Sequence, residues 1–315
     1  MNPEIQSITD RIPALKGVKE LIVEKIDGLT NANYQITAGK NQYVLRISRE
    51  NAEKLGINRD FEYEALQVAS SVGIGPEVIY FSKPEGHLVT RWIDGRHWTH
   101  DEYRRPENIR LLTQTVKQLH SLPAIEGRFS PFNRVEAYTR TAKEYDIPLP
   151  YDFEALLDTM REIEEDQRKD QSDWLRFCHN DLVAVNYLYS DEQHKITIID
   201  WEFAGMGDIY YDLATLVYTH DSIGPIPPEL EEFMLQCYFT EVSNDSWIRL
   251  SGMKFMLMLF TAMWGLSQYG MQKAGFIEEV EGFDYLEFAQ YLFSHDVESC
   301  RAAYLKLKEK QLIPK

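Results

Sequence analysis

His179-Asn180-Asp181-Leu182-Val183-Ala184-Val185-Asn186, followed by Ile198-Ile199-Asp200-Trp201-Glu202, is the stretch on which the reading of this chain turns. Around it lie three short runs of branched and aromatic residues, Trp174 to Cys178, Val185 to Tyr189 and Lys195 to Ile199, which read as strands of a small β island. Asp200 ends an apolar strand, so its carboxylate emerges at the edge of that island, beside the loop that carries Asp181 and Asn186. Helical periodicity surrounds the island. Ile109, Leu112, Val116 and Leu119 recur at helical spacing before it, and helical patterns resume at Tyr210 and run almost to the end.

Toward the N-terminus the pattern changes. Ile5, Ile8, Ile12 and Leu15 predict a short amphipathic helix, and Val18 to Asp27 predicts a strand. Tyr34 and Ile36 alternate with Gln35 and Thr37 before the turn Ala38-Gly39-Lys40-Asn41. Tyr43, Leu45 and Ile47 then alternate with Val44 and Arg46, which puts Arg46 on the face opposite the three apolar side chains. Phe61, Ala65, Val68, Ala69 and Val72 form a helical stripe that ends at the Gly73 to Pro76 break. Val78 to Phe81 and His87 to Ile93 flank the turn Lys83-Pro84-Glu85-Gly86 as a hairpin. Asp94-Gly95 punctuates the chain, and the lobe boundary is placed there. The expected architecture is α+β, with a small β-rich lobe over residues 1–93 hinged to a larger, mainly helical lobe over residues 94–315.

The composition narrows the function. The 315 residues are 44% hydrophobic, enough for a sizeable core. A formal charge of -17 argues against a nucleic-acid or anionic-membrane surface, both of which need clustered Lys and Arg, and sits better with a cationic or neutral small substrate. Cys178, Cys237 and Cys300 are too scattered for a disulfide framework or a zinc site and read as buried free thiols in a reducing compartment. The N-terminus lacks the pattern of a secretory signal. The longest apolar segment, Phe255 to Leu266, falls short of the roughly 20 residues a bilayer requires and reads as a buried helix, so the expected location is cytoplasmic with no stable membrane insertion. The acidic stretch Arg161 to Asp173 reads as a solvated helix face.

Phosphoryl transfer to an alcohol needs a carboxylate near the hydroxyl and hard oxygen ligands for magnesium. Asp181 and Asn186 offer two such groups from one loop, and Asp200 can complete the set. The H-x-D-x-x-x-x-N segment with its following I-D resembles the catalytic and metal loops shared by aminoglycoside phosphotransferases, choline/ethanolamine kinases and, more distantly, protein kinases. The string IDWEFAGMGDIYYDLATL, with GLTNANY, YVLRI and GINRDFEYEAL, is most similar to bacterial choline kinases, over roughly residues 28 to 290.

That resemblance implies a protein-kinase-like fold with a nucleotide-binding N-terminal lobe and a catalytic, substrate-binding C-terminal lobe. It implies ATP and Mg2+ as cofactors and transfer of the γ-phosphate to a small amino alcohol such as choline or ethanolamine. Carried onto this sequence, Asp181 orients the hydroxyl and accepts its proton, His179 orders the catalytic loop, and Asn186 and Asp200 hold the metal. Arg46 holds the nucleotide phosphates, partnered by Glu62 or, as the fallback, Glu64; Gly28-Leu29-Thr30-Asn31 covers the phosphates. Thr90 to Ile93, with Arg91 and Trp92 at its centre, forms the hinge against adenine, and Asp212 braces the catalytic loop.

On the acceptor side the resemblance lifts Trp264 from a core aromatic to one wall of a pocket for a quaternary ammonium. Related choline kinases often carry W-x-x-W here, whereas Ser267 stands at the second position, so Tyr285 or Phe288 fills the gap or the substrate is not a quaternary ammonium. Glu202 either lines the pocket or is a solvated loop carboxylate; Trp201 and Tyr211 are further candidates. Two other functions stand beside this one: an antibiotic phosphotransferase, which needs an acidic pocket, and a catalytically silent nucleotide-binding protein, whose expected signature is the loss of Asp181, Asn186 or Asp200. The acceptor alcohol and the oligomeric state are left open.

Overall fold

The period-two runs near the N-terminus form a five-stranded antiparallel sheet. A computed structural model describes residues 3–18, 20–26, 32–48, 56–83, 85–169, 174–219, 224–280 and 282–312. Helix α1 (Pro3–Thr9) and a 3-10 turn (Pro13–Leu15) precede β1 (Leu21–Ile26), β2 (Ala32–Ala38) and β3 (Asn41–Ile47). Helix α2 (Arg59–Ser71) follows, then β4 (Val78–Phe81) and β5 (Leu88–Arg91), and the sheet order is β1-β2-β3-β5-β4. Ile5, Ile8, Ile12 and Leu15 cover one face of this sheet, packing with Ile36, Tyr43, Leu45 and Val89. Arg46 points to the other face, as the alternation along β3 requires, and meets α2 there.

The stripe predicted for α2 is rotated from the face that is buried. Glu62, Ala65, Leu66 and Ala69 are buried, Phe61 and Val68 are only half-buried, and Val72 caps the C-terminus at 43% exposure. The difference arises because α2 packs on the C-terminal lobe as well as on the sheet. Ala65, Leu66, Ala69 and Ile74 belong to the core of the larger lobe, and Ile198 N–H donates to Ile74 O at 2.8 Å. Asn58 starts the helix, its side chain accepting from the amides of Asp60 and Phe61.

Beyond Gly95 the chain is mainly helical: α3 (His100–Tyr103), α4 (Pro106–His120), α5 (Pro131–Glu144) and α6 (Phe153–Arg168). The island then supplies β6 (Leu175–Cys178), β7 (Tyr187–Ser190), β8 (Lys195–Ile198) and β9 (Gly205–Asp208). After it come α7 (Ile209–Val217), the short pair β10 (Tyr218–Thr219) and β11 (Gly224–Pro225), and α8 (Pro228–Tyr238). Helix α9 (Asn244–Lys273), α10 (Tyr285–Leu292), a π-helical turn (Phe293–Val297) and α11 (Glu298–Leu312) complete the lobe.

Strand β9 is absent from the sequence reading because Gly-Met-Gly-Asp has no strand propensity. It forms because β6 pairs with it from Leu175↔Asp208 to Cys178↔Gly205, and because Gly127 lies against it. A Cβ on Gly205 would sit 3.1 Å from the carbonyl carbon and oxygen of Gly127. The apolar segment Phe255 to Leu266 is the middle of α9, which packs on α5, α7, α10 and α11. This helix is long and apolar enough to cross a membrane, and 83% of its most apolar window is buried inside the protein. Cys178 and Cys300 are buried and unpaired, while Cys237 is half-buried rather than buried as expected. On α6 Ile163 is buried and Glu162, Glu165 and Arg168 are exposed, as a solvated face requires; residues 170–173 lie outside the described residues.

Asp208 joins β9 to α7. It caps the helix, Tyr210 N–H donating to its Oδ1 at 2.8 Å, and Gln167 Nε2 donates to its Oδ2. Burial at 6% exposure pushes its carboxyl up to about 7. The folded protein therefore binds more protons than the unfolded chain between about pH 4 and pH 7, so this group lowers stability as pH rises through that window and exerts its full cost above it. Asp208→Asn keeps the cap acceptor and removes the dependence. Thermal unfolding is expected to show the variant gaining a few degrees on the wild type at pH 8, with the gain shrinking toward pH 5.

Candidate functional site

The catalytic-loop segment runs between β6 and β7, and its shape is set from beneath. Asp212 of α7 is fully buried and accepts from His179 N–H at 2.9 Å and from Asn180 N–H at 2.6 Å. His120 of α4 donates from Nε2 to the same carboxylate at 2.9 Å, and its Nδ1 meets the Tyr238 hydroxyl at 2.7 Å. Two carboxylate oxygens thus hold two successive backbone amides, which fixes the entry to the loop. Asn180 adopts φ +65°, the left-handed region that Asn tolerates, and its Nδ2 donates to Phe203 O at 3.0 Å. His120 and Tyr238 escape the sequence reading. The available signal was a histidine ending the apolar face of α4, beside Val116 and Leu119.

His179 links the two loops. Its Nε2 donates to Ile199 O at 3.0 Å, its ring stands edge-on to Trp201 at 4.9 Å, and burial lowers it to about 4, so it is a neutral orienting group. Trp201 is corrected by the same packing. It is 1% exposed, stacks among core residues and donates from Nε1 to Ile198 O at 2.9 Å, so it does not line a pocket. Tyr211 is likewise fully buried, 5.4 Å from the Phe129 ring.

Asp181 and Asn186 meet as expected. Asn186 Nδ2 donates to Asp181 Oδ2 at 2.8 Å and to Asp181 O at 2.9 Å, which leaves Oδ1 as the acceptor of that amide. Asp200 sits at φ +60° two residues beyond β8, again in the left-handed region that Asp, like Asn, tolerates. Burial, followed by the charge of Glu202, pushes Asp181 up to about 7 and Asp200 well above the usual carboxylate range.

Arg46 meets Glu62 in a bidentate pair, one contact being Nη2 to Oε2 at 2.8 Å. Both residues are buried; burial would neutralise each, and the opposite charge overrides it, raising the arginine and lowering the glutamate. Glu64 instead accepts from Glu126 N–H at 3.2 Å, which settles the partner of Arg46 as Glu62. Arg46 Nε is buried with no partner among the described residues, a donor suited to an anionic oxygen. Glu202 is 7% exposed and pairs with Arg59 at 3.2 Å, which removes the solvated reading.

Four carboxylates, Glu62, Asp181, Asp200 and Glu202, therefore face two guanidinium groups, Arg46 and Arg59. Ionised together they leave a local excess of negative charge among hard oxygen donors, the setting that suits magnesium. Asn186 Oδ1 and the Asp200 carboxylate are the donors that fit it.

At the hinge, Arg91 N–H donates to Glu77 O at 2.8 Å and Trp92 N–H to Gln42 O at 3.0 Å. Both amides are used inside the lobe, so a backbone contact from these two residues to a ligand has to use a carbonyl. The Arg91 side chain pairs with Glu77 at 2.6 Å. Thr30 and Asn31, with the rest of the loop predicted to cover the phosphates, lie outside the described residues.

On α9, half-buried Trp264 stands edge-on to Tyr285 at 5.5 Å and to Phe288 at 6.4 Å. Tyr285 and Phe288 are thus both beside Trp264, while Ser267 is buried at 2% exposure. Phe283, which the sequence reading missed, completes the group at 5.1 Å from Tyr285 and 5.2 Å from Phe288. It lies in the irregular segment before α10, where no periodicity marks it.

The profile of the phosphotransferase enzyme family (APH) matches residues 23–238, ending before α9. LicA of Haemophilus influenzae is 28% identical over 227 residues, 70% of this chain and 63% of that protein, so the match spans less than two thirds of its length. Probable choline kinase 3 of Arabidopsis thaliana is 24% identical over 275 residues, 79% of this chain and 76% of that protein. A solved choline/ethanolamine kinase family protein from Mesorhizobium loti superposes with a TM-score of 0.73 at 25% identity, covering 95% of this chain and 93% of that one. The two-lobe, protein-kinase-like architecture is common to both.

The Arg46–Glu62 pair yields a stability prediction. Glu62→Ala strands a buried guanidinium and is expected to cost about 3–5 kcal/mol, whereas Arg46→Met/Glu62→Leu, which removes both charges, recovers most of that loss. Urea unfolding of the two variants against the wild type measures it.

Proposed function

This chain belongs to the phosphotransferase enzyme family, and from that premise we propose that it transfers the γ-phosphate of ATP to the hydroxyl of a small amino alcohol, choline or ethanolamine. The observation that carries the reading is the meeting of Asp181, Asn186 and Asp200 beside the Arg46–Glu62 pair. Asp181 orients the acceptor hydroxyl and takes its proton. A carboxyl raised to about 7 is a stronger base than an ordinary aspartate, which suits that task. Arg46, held by Glu62 and with its Nε–H unpartnered among the described residues, is the residue to meet the nucleotide phosphates. Asn186 and Asp200 are the residues to hold Mg2+, which supplies neutralisation of phosphate charge when bound. Asp212 and His179 act through the loop, by fixing its amides and tying it to Ile199.

For the acceptor, the support is the cluster of half-buried Trp264, Phe288 and Phe283, packed against Tyr285, which is buried at 3% exposure. Aromatic faces suit a cationic nitrogen, whereas a polycationic antibiotic needs an acidic pocket. With Ser267 buried where related choline kinases often carry a second tryptophan, the cluster draws its other rings from α10 and the segment before it.

Two kinetic outcomes follow. Asp181→Ala is expected to lower turnover by about 10²–10⁴ while leaving nucleotide binding intact, as read by steady-state assay and ATP titration. Trp264→Ala is expected to raise the KM for the amino alcohol by up to a few tens-fold, the reach of about 0.5–2 kcal/mol, without moving the KM for ATP. Assays with choline, ethanolamine and an uncharged isostere of choline decide the acceptor class. Equal efficiency on the isostere rules out cation recognition.

A further inference from the structure

Arg59, the first residue of α2, has no part in the chemistry above, yet its side chain is held on every side. It is 12% exposed, with Nη1 2.8 Å from Glu62 Oε2 and 3.2 Å from Glu202 Oε2. Its Nε donates to Ser48 Oγ at 3.1 Å, and a Cβ on Gly86 would lie 2.7 Å from Arg59 Cγ, so the turn before β5 closes over its stem. Glu62 already has a bidentate partner in Arg46 and does not need a second guanidinium for neutrality. Arg59 also pairs with Glu202, whose side chain is 3% exposed in the loop after Asp200.

The pair therefore crosses from α2 to the segment between β8 and β9. Two further contacts cross in the same direction. Arg134 Nη2 of α5 donates to Gly56 O at 2.5 Å, just before α2, and Glu126 N–H donates to the Glu64 carboxylate at 3.2 Å. Of the three, only the Arg59 contact reaches the loop of Asp200, and Glu62 connects it onward to Arg46.

We propose that Arg59 is a positioning residue for the metal-binding loop. Through Glu202 it fixes residues 200–203 against α2, so that the Asp200 carboxylate and the Arg46 guanidinium keep a set spacing. Its Nη1 meets both carboxylates while its Nε is held by Ser48 Oγ, so one rigid guanidinium plane joins Ser48, Glu62 and Glu202. The proposal rests on the reading of Asp200 as a cation ligand.

The test uses the full chain in two states. In metal-free protein, hydrogen–deuterium exchange of the amides at 199–204 is expected to rise about tenfold in Arg59→Met. With ADP present, Mn2+ affinity measured by electron paramagnetic resonance is expected to fall about tenfold, the low end of the effect of losing a direct partner of a metal ligand because Arg59 acts through Glu202, with the KM for the amino alcohol unmoved. Arg59→Met leaves Glu202 buried without this partner and is at risk of misfolding. Arg59→Met/Glu202→Gln removes that charge, and both shifts are expected in it as well. Wild-type exchange at 199–204, acceleration confined to α2, or wild-type Mn2+ affinity in a folded variant overturns the proposal. The exchange measurement involves neither metal nor acceptor, so it stands apart from the functional reading. An error in that reading shows instead as wild-type Mn2+ affinity in Asp200→Ala.

Discussion

Like charges packed together at the lobe junction set the terms for the rest of the structure. Glu62, Asp181, Asp200 and Glu202 share a cleft with Arg46 and Arg59, and burial makes every uncompensated charge there costly. A chain left to itself would turn such carboxylates out to water. They stay because other groups determine the backbone on which they ride. Asp212 fixes two amides of one loop, His179 ties that loop to the next, and Asn180 and Asp200 hold left-handed conformations at the turns. Repulsion among buried carboxylates at one place, with a well-packed frame around it, is a setting that favours a bound cation.

The frame was legible where periodicity carried it. Alternation along β3 placed Arg46 on the inner face; Asp200, expected at the end of a strand, lies two residues beyond β8, where Ile199 N–H donates to Asn186 O at 2.8 Å and keeps it beside the loop of Asp181 and Asn186. Periodicity failed where tertiary contact overrode local pattern. The buried face of α2 differs from its apolar stripe because Ala65, Leu66 and Ala69 pack on the larger lobe and Glu62 beside them is buried by pairing with a guanidinium from another element. Strand β9 consists of residues with little strand preference and exists through its partners β6 and Gly127. Trp201 shows the converse: an aromatic next to a catalytic motif invites a ligand role, yet its indole N–H is satisfied by a carbonyl in the core. His120 reaches Asp212 across a long sequence separation, and a single histidine at a helix end carries no sign of that.

The resemblance supplied roles, and the geometry discriminates among them. It separates Glu62 from Glu64 by their hydrogen bonds, makes Glu202 a buried paired carboxylate, and restricts Arg91 and Trp92 to their carbonyls at the hinge. It also shows that Trp264 has ring neighbours although Ser267 is small, because α10 brings Phe288 and Tyr285 to the same side of α9.

Helix α9 serves two masters along one rod. Gly252 faces Tyr304 and Ile163, Gly270 faces Tyr145 and Ile147, and Gly265 lets the backbone of Tyr285 approach the helix closely. The rings beside Trp264 come from Phe283 to Phe288, a stretch that packs chiefly on α9 and takes no part in holding Asp181, Asn186 or Asp200. Under the proposed function, the rings that meet the acceptor and the groups that meet the phosphates ride on separate stretches of chain, so exchanging the segment from Phe283 to Phe288 would alter the first and leave the second in place.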